Sequence, residues 1–125
     1  MSKLKIYEYE NCSTCKKALK FLRERGVDFE QRPIVEHPPD LKSLKTMLAH
    51  LDGDIKRLFN TSGQVYRELK LSDKMKTMSE AEALRLLAGN GKLIKRPFVL
   101  GLNVGVVGFK ELEWERIFLN LDTLK

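Results

Sequence analysis

Two cysteines three positions apart are the residues of this sequence best suited to chemistry. Cys12 and Cys15 are the two cysteines of the 125-residue chain. The thiolate is the reactive form of cysteine, and a thiol one helical turn away can attack a mixed disulfide formed by the first. The spacing therefore predicts a redox-active dithiol, in which Cys12 is the nucleophile and Cys15 resolves the mixed disulfide.

The cysteine pair has two possible interpretations other than redox chemistry. Both thiols could be small hydrophobic residues of the core. They could also bind zinc, but a closed structural zinc site usually needs four ligands. His37 and His50 are the two histidines, and their spacing matches no zinc-finger pattern. We expect both histidines at the surface or in turns, no metal, and no bound cofactor.

A strand and a helix are predicted to position the dithiol. Residues 4–9 have the pattern of a strand, and residues 13–25 carry an apolar stripe at helical spacing. Gly26 follows and can end the helix at positive φ. A second strand over residues 27–32 completes a β-α-β unit, whose two strands should be parallel.

The start of this helix favours a thiolate. Cys12 falls at or next to the N-cap, where free backbone N–H groups and the helix dipole stabilise negative charge. Lys16 and Lys17 follow one turn later. We therefore expect the reactive thiolate form of Cys12 to be stabilised, and Lys16 to contribute to anion binding.

The rest of the chain completes an α/β fold. Residues 40–90 are predicted to form a helical insertion, in which Ser79 and Glu82 make a capping box. Residues 98–102 and 104–109 are predicted to form a hairpin, followed by a final helix over residues 110–119. The order β-α-β, helices, β-β-α predicts one domain over residues 1–125 with a mixed four-stranded sheet.

A second candidate element precedes the third predicted strand. Pro97, which opens that strand, is a candidate for a cis peptide bond in a tight bend. Arg96 would then hold an anion, or the incoming thiolate, near Cys12. The other interpretation, a solvated arginine beside a strand-starting proline, is equally open at this point.

Composition limits the class of protein. The chain is 42% hydrophobic and 32% charged, which is typical of a folded soluble protein. Its net charge of +6 is spread among acidic residues, so we expect a solvated surface and no direct nucleic-acid binding. Neither a membrane span nor a signal peptide is predicted. We therefore expect a cytoplasmic monomer, in a compartment that keeps thiols reduced.

Several motifs together resemble one known family. Residues 7–17 (YEYENCSTCKK), 60–66 (NTSGQVY), 93–97 (LIKRP) and 107–111 (VGFKE) are similar, in this order, to those of the arsenate reductase (ArsC) and Spx family of thioredoxin-like proteins. The resemblance covers nearly the whole chain. It implies a thioredoxin-like fold with a helical insertion.

The resemblance also implies roles for site residues. Cys12 matches the catalytic cysteine and Arg96 the oxyanion-binding arginine, while Pro97 would lie across from the reactive cysteine. Two further arginines of the glutaredoxin-dependent reductases are replaced here, one by Asn60 and the other within residues 108–110. We therefore expect weak or no arsenate reduction.

The dithiol is closer to the Spx/MgsR-type branch with its CxxC motif. Our first hypothesis is an arsenate reductase-like thiol–disulfide oxidoreductase, acting on small thiols or protein disulfides. Its electron donor would be glutathione, glutaredoxin or thioredoxin. The alternative is a redox-switched regulator that binds the C-terminal domain of the RNA polymerase α subunit. The third hypothesis is arsenate reduction with glutaredoxin and glutathione.

Overall fold

The computed structural model describes residues 3–123, with side chains described as far as residue 118. Its strands are β1 (Leu4–Glu8), β2 (Phe29–Pro33), β3 (Phe98–Gly101) and β4 (Val104–Val107). Its α-helices are α1 (Ser13–Glu24), α2 (Leu41–His50), α3 (Gln64–Glu68), α4 (Leu71–Lys74), α5 (Glu80–Ala88) and α6 (Glu111–Thr123). Short 3₁₀ helices cover Ile55–Leu58 and Gly91–Leu93. This order confirms the predicted β-α-β, helical segment and β-β-α.

The four strands form one mixed sheet in the order β2-β1-β3-β4. β1 and β2 are parallel, as the β-α-β pattern predicts, whereas β1–β3 and β3–β4 are antiparallel. In the β3–β4 hairpin, Leu102 and Asn103 have φ of 53° and 64°. Two positive φ values in succession are typical of the tight type I′ turn that joins antiparallel strands. The mixed four-stranded sheet is confirmed.

Helices cover both faces of the sheet. On one face, α1 and α6 pack on Leu4 and Ile6, and Trp114 is fully buried among them. On the other face, the helical segment between β2 and β3 packs on Tyr7 and Phe98. Side chains of β1 are therefore buried on both faces, as expected of a central strand. The strand predicted over residues 4–9 is thus a central strand of the fold.

Helix ends follow local capping signals. Asp40 caps α2 by accepting a hydrogen bond from the Ser43 N–H (2.8 Å), which also holds the pKa of Asp40 below its usual range. Ser79 caps α5 as predicted, accepting from the Glu82 N–H at 3.1 Å. Gly26 follows α1 with a φ of 67°, the left-handed conformation that glycine adopts without steric cost.

One helix was not predicted. The short α4 follows Lys70, whose backbone is left-handed with a φ of 53°. A single turn of this kind carries too few residues to produce a helical repeat in the sequence. Among the helices that the structure describes, none has the length and apolarity needed to cross a membrane.

Candidate active site

Cys12 is the N-cap residue of α1. Its backbone N–H donates to the carbonyl of Tyr9 (3.1 Å), which fixes the turn that leads from β1 into the helix. Its Sγ accepts a hydrogen bond from the backbone N–H of Cys15 at 3.2 Å. The sulfur therefore takes the place of the side-chain oxygen that usually caps a helix, and a negative charge on it is stabilised by that N–H.

Cys15 lies behind Cys12 and is fully buried. Burial, followed by a hydrogen bond with the Cys12 side chain, raises the pKa of the Cys15 thiol to about 12. The nearby charges of Cys12 and Glu8 raise it further, while a hydrogen bond with the Tyr9 backbone acts in the opposite direction. Both cysteines are free, so the structure is that of the reduced protein. The Cys12 side chain is partly exposed, whereas the Cys15 side chain is buried.

Cys12 lines an open cavity of about 620 Å³. Its walls come from four separate parts of the chain: the start of α1, the 3₁₀ helix after α2 with the loop that follows, the segment before β3, and the end of β4 with the start of α6. They consist of Cys12, Thr14, Asp54, Lys56, Arg57, Phe59, Asn60, Thr61, Lys95, Arg96, Val107, Gly108, Phe109, Lys110 and Glu113. Only the folded chain brings these residues together.

The Arg96–Pro97 peptide bond is cis, as expected for the bend before β3. The Pro97 carbonyl accepts a hydrogen bond from the Gly108 N–H (2.9 Å), which ties the bend to the end of β4. The Arg96 guanidinium lies 4.6 Å from the centre of the Tyr9 ring, within range of a cation–π interaction. Arg96 and Cys12 line the same cavity, and the Tyr9 ring packs against the guanidinium.

The cavity carries more positive charge than the sequence indicated. Besides Arg96, it is lined by Lys56, Arg57, Lys95 and Lys110, against the two carboxylates of Asp54 and Glu113. None of these side chains belongs to an ion pair within the described part of the chain. The family resemblance indicated that Asn60 replaces an arginine, and so predicted a loss of positive charge at that position. Asn60 does line the cavity, but Arg57, one turn earlier, lines it too.

The other candidate residues lie elsewhere. Lys16 is exposed on α1 and is not part of the cavity wall, so its role in anion binding stays a prediction. His37 and His50 are both exposed, as predicted. Among the described residues, no group of three or more His, Cys, Asp and Glu side chains is arranged to hold a metal ion. Tyr7, Tyr66 and Trp114 are core residues.

Comparisons with known proteins agree on one family. A model of the ArsC family matches residues 7–117. The uncharacterized protein YusI of Bacillus subtilis (strain 168) is 46% identical over 112 residues, which is 90% of this chain and 95% of YusI. The global transcriptional regulator Spx of Enterococcus faecalis is 26% identical, over 90% of this chain and 84% of Spx.

A solved structure supports the same assignment. The crystal structure of a possible arsenate reductase from Streptococcus mutans UA159 aligns with a TM-score of 0.83 and 36% identity. The alignment covers 92% of this chain and 99% of the other. The thioredoxin-like α/β fold predicted from the motifs is confirmed.

Proposed function

The chain belongs to the ArsC family, and from this premise we propose that it is a cytoplasmic thiol–disulfide oxidoreductase. The observation that carries the proposal is the asymmetry of the dithiol. Cys12 caps a helix and faces a cationic cavity, whereas Cys15 is buried behind it with a pKa raised to about 12. An accessible nucleophile with a protected resolving thiol is what disulfide exchange requires.

The reaction proceeds in two exchanges. The Cys12 thiolate attacks one sulfur of a substrate disulfide, forms a mixed disulfide, and releases the other substrate sulfur as a thiolate that takes a proton from water. Cys15 then gives its proton to water and attacks the Cys12 sulfur. The second substrate thiolate leaves and takes a proton from water. The substrate disulfide gains two electrons, and the Cys12–Cys15 dithiol loses two by forming a disulfide. Two molecules of a small thiol such as glutathione, which leave joined as a disulfide, or the dithiol of one glutaredoxin or thioredoxin, return the two electrons.

The structure supports this order of events. In the reduced protein the neighbouring Cys12 charge and hydrogen bond both raise the pKa of Cys15. Once Cys12 is in a mixed disulfide, that negative charge is gone, and the pKa of Cys15 should fall. The second thiol thus becomes more reactive only after the first exchange. Arg96, which lines the cavity, and Pro97, buried in the bend next to it, would position the substrate.

Two serine variants test the proposal. Cys12→Ser keeps a good N-cap residue and should abolish reduction of a disulfide substrate. In Cys15→Ser, Cys12 should still attack the substrate, but the reaction should stop at the mixed disulfide, which mass spectrometry detects as a covalent adduct on Cys12. Lys45→Ala, an exposed substitution on α2 away from the cavity, is the control. Turnover by Cys12→Ser, or the absence of any adduct on Cys15→Ser, would contradict the mechanism.

A second candidate is a redox-switched regulator. It rests on the similarity to Spx and to the regulatory protein MgsR of Bacillus subtilis, which is 27% identical over 85% of this chain. In this hypothesis the Cys12–Cys15 pair switches binding to the C-terminal domain of the RNA polymerase α subunit. A pull-down with that domain, using the oxidised and reduced forms, tests it. No binding by either form would reject the hypothesis.

Arsenate reduction is the third candidate, motivated by Cys12 and Arg96 in one cavity and by the possible arsenate reductase of similar structure. Lys56, Arg57 and Lys110 supply positive charge, but without the planar fork of arginine at two of these positions. We expect weak turnover in an assay coupled to glutaredoxin and glutathione. Turnover as fast as that of a member with all three arginines would overturn this expectation.

A further inference from the structure

A second groove opens beside the Cys12 cavity, along the start of α6. It has a volume of about 520 Å³ and is lined by Lys110, Glu111, Leu112, Glu113, Arg116 and Ile117. Lys110 and Glu113 also line the Cys12 cavity. The cavity and the groove, which we call the α6 groove, are therefore adjacent. A ligand that reaches Cys12 can extend along α6.

An exposed hydrophobic side chain lies in the α6 groove. Leu112 is 72% exposed, against 38% for Leu41 and 37% for Leu69, the other exposed large hydrophobic residues of the described chain. Ile117, five residues further along α6, is half-buried and lines the same groove. An isolated exposed leucine is ordinary, but Leu112 lies in a groove that shares Lys110 and Glu113 with the Cys12 cavity, where it offers an apolar anchor.

The charges of the Cys12 cavity select for an anion. Five cationic side chains face two carboxylates, and none of the five is engaged in an ion pair among the described residues. Such an excess attracts negatively charged ligands and disfavours positively charged ones. The cationic residues are also spread over separate walls, so they suit several carboxylates better than one compact oxyanion.

The combined extent of the two surfaces indicates a polypeptide. A cavity of several hundred Å³ already accommodates a drug-sized ligand, and the α6 groove adds an apolar surface that a small thiol would leave empty. We propose that the substrate is a protein whose cysteine lies in an acidic segment, bound with its reactive sulfur at Cys12 and an apolar side chain on Leu112. The proposal rests on the proposed oxidoreductase function, since it names the substrate class of the same site.

Binding of synthetic peptides tests the recognition without the chemistry. The probe is a fluorescent peptide with serine in place of the reactive cysteine, glutamates beside it and leucines towards both ends. It should bind the reduced protein, more weakly at high salt because charge interactions are screened. A version with glutamine in place of glutamate should bind about tenfold more weakly, a ratio that corresponds to about 1.4 kcal/mol.

Substitutions in the Cys12 cavity and in the α6 groove test the contribution of each to peptide binding. Arg57→Glu should weaken the acidic peptide and not its glutamine version, whereas Lys45→Glu, outside the cavity, should change neither. Leu112→Ser should weaken the peptide that carries leucines and not a version with serines there. Leu41→Ser is its matched control, because Leu41 is exposed but lies on α2. Circular dichroism confirms that each variant is folded.

The outcomes separate this inference from the proposed function. Reduction of a small neutral disulfide, with no dependence of peptide binding on charge or on Leu112, would retain the oxidoreductase and overturn the protein substrate. Selective peptide binding without reduction of any disulfide would reject the oxidoreductase and retain the docking surface. Tighter binding of oxidised glutathione than of the acidic peptide would identify a small-thiol site and overturn the inference.

Discussion

The two thiols of the reduced protein should differ sharply in their reactivity towards an alkylating agent. Burial and the hydrogen bond with Cys12 raise the pKa of Cys15 from an ordinary 9.0 to about 12. Near neutral pH that difference lowers the thiolate fraction of Cys15 about a thousandfold. Full burial restricts access by the reagent as well. Iodoacetamide should therefore modify Cys12 first and leave Cys15 unmodified while the protein stays folded.

The assay is timed alkylation followed by peptide mapping. Reduced protein is treated with iodoacetamide at pH 8, quenched at intervals, and digested for mass spectrometry. The same reaction in concentrated urea gives the rate for each exposed cysteine. In the Cys12→Ser variant, Cys15 loses the neighbouring thiol but stays buried. Because burial is the larger cause of its raised pKa, it should remain far slower than in urea.

Two results would refute this reasoning. If Cys15 in the folded protein reacts as fast as in urea, it is neither buried nor protonated as the structure requires. If Cys15 reacts before Cys12, the two roles are reversed, and the proposed order of the exchange reactions is wrong.

Three further predictions concern the site and its scaffold. Arg96→Ala should lower kcat/KM for an anionic disulfide about tenfold, or about 1.4 kcal/mol, because a positive charge of the Cys12 cavity is lost. The urea unfolding midpoint should not change. An unchanged kcat/KM would contradict a role of Arg96 in substrate binding. Asp40→Ala should lower the free energy of unfolding at pH 7 by about 1 kcal/mol, the usual value of an N-cap, because the hydrogen bond from Ser43 is lost. Since that bond lowers the pKa of Asp40 in the folded state, the difference should shrink as the pH falls through the lowered value, and an undiminished difference in acid would contradict the assignment. Trp114→Phe removes the buried hydrogen bond from the Trp114 Nε1–H to the Gly108 carbonyl (3.0 Å). It should lower the free energy of unfolding, measured in urea, by about 1–3 kcal/mol. An unchanged unfolding midpoint would contradict this contribution of the hydrogen bond.

Local signals predicted most of the fold. The end of α1 at Gly26 and the cap of α5 at Ser79 were found because each depends on residues close in sequence. The tight turn at Asn103 likewise placed the β3–β4 hairpin. The short α4 was missed because a single turn shows no periodicity in the sequence.

The sequence by itself determined the placement of the cysteine pair. Cys12 at the start of α1, Cys15 one turn later, and the Arg96–Pro97 bend were all predicted from local pattern and family resemblance, and the structure places Cys12 and Arg96 in one cavity. Spacing along a helix fixes which residues are neighbours, so such a pair is visible in the sequence.

Only the tertiary structure decided the electrostatics around that pair. The raised pKa of Cys15 comes chiefly from burial, which requires the packed fold. The charge of the cavity comes from separate segments of the chain. Arg57 and Lys110 therefore line the cavity, whereas Lys16, close to the dithiol in sequence, does not. Helical geometry is local, but desolvation and the summed field of distant charges depend on how the whole chain is packed.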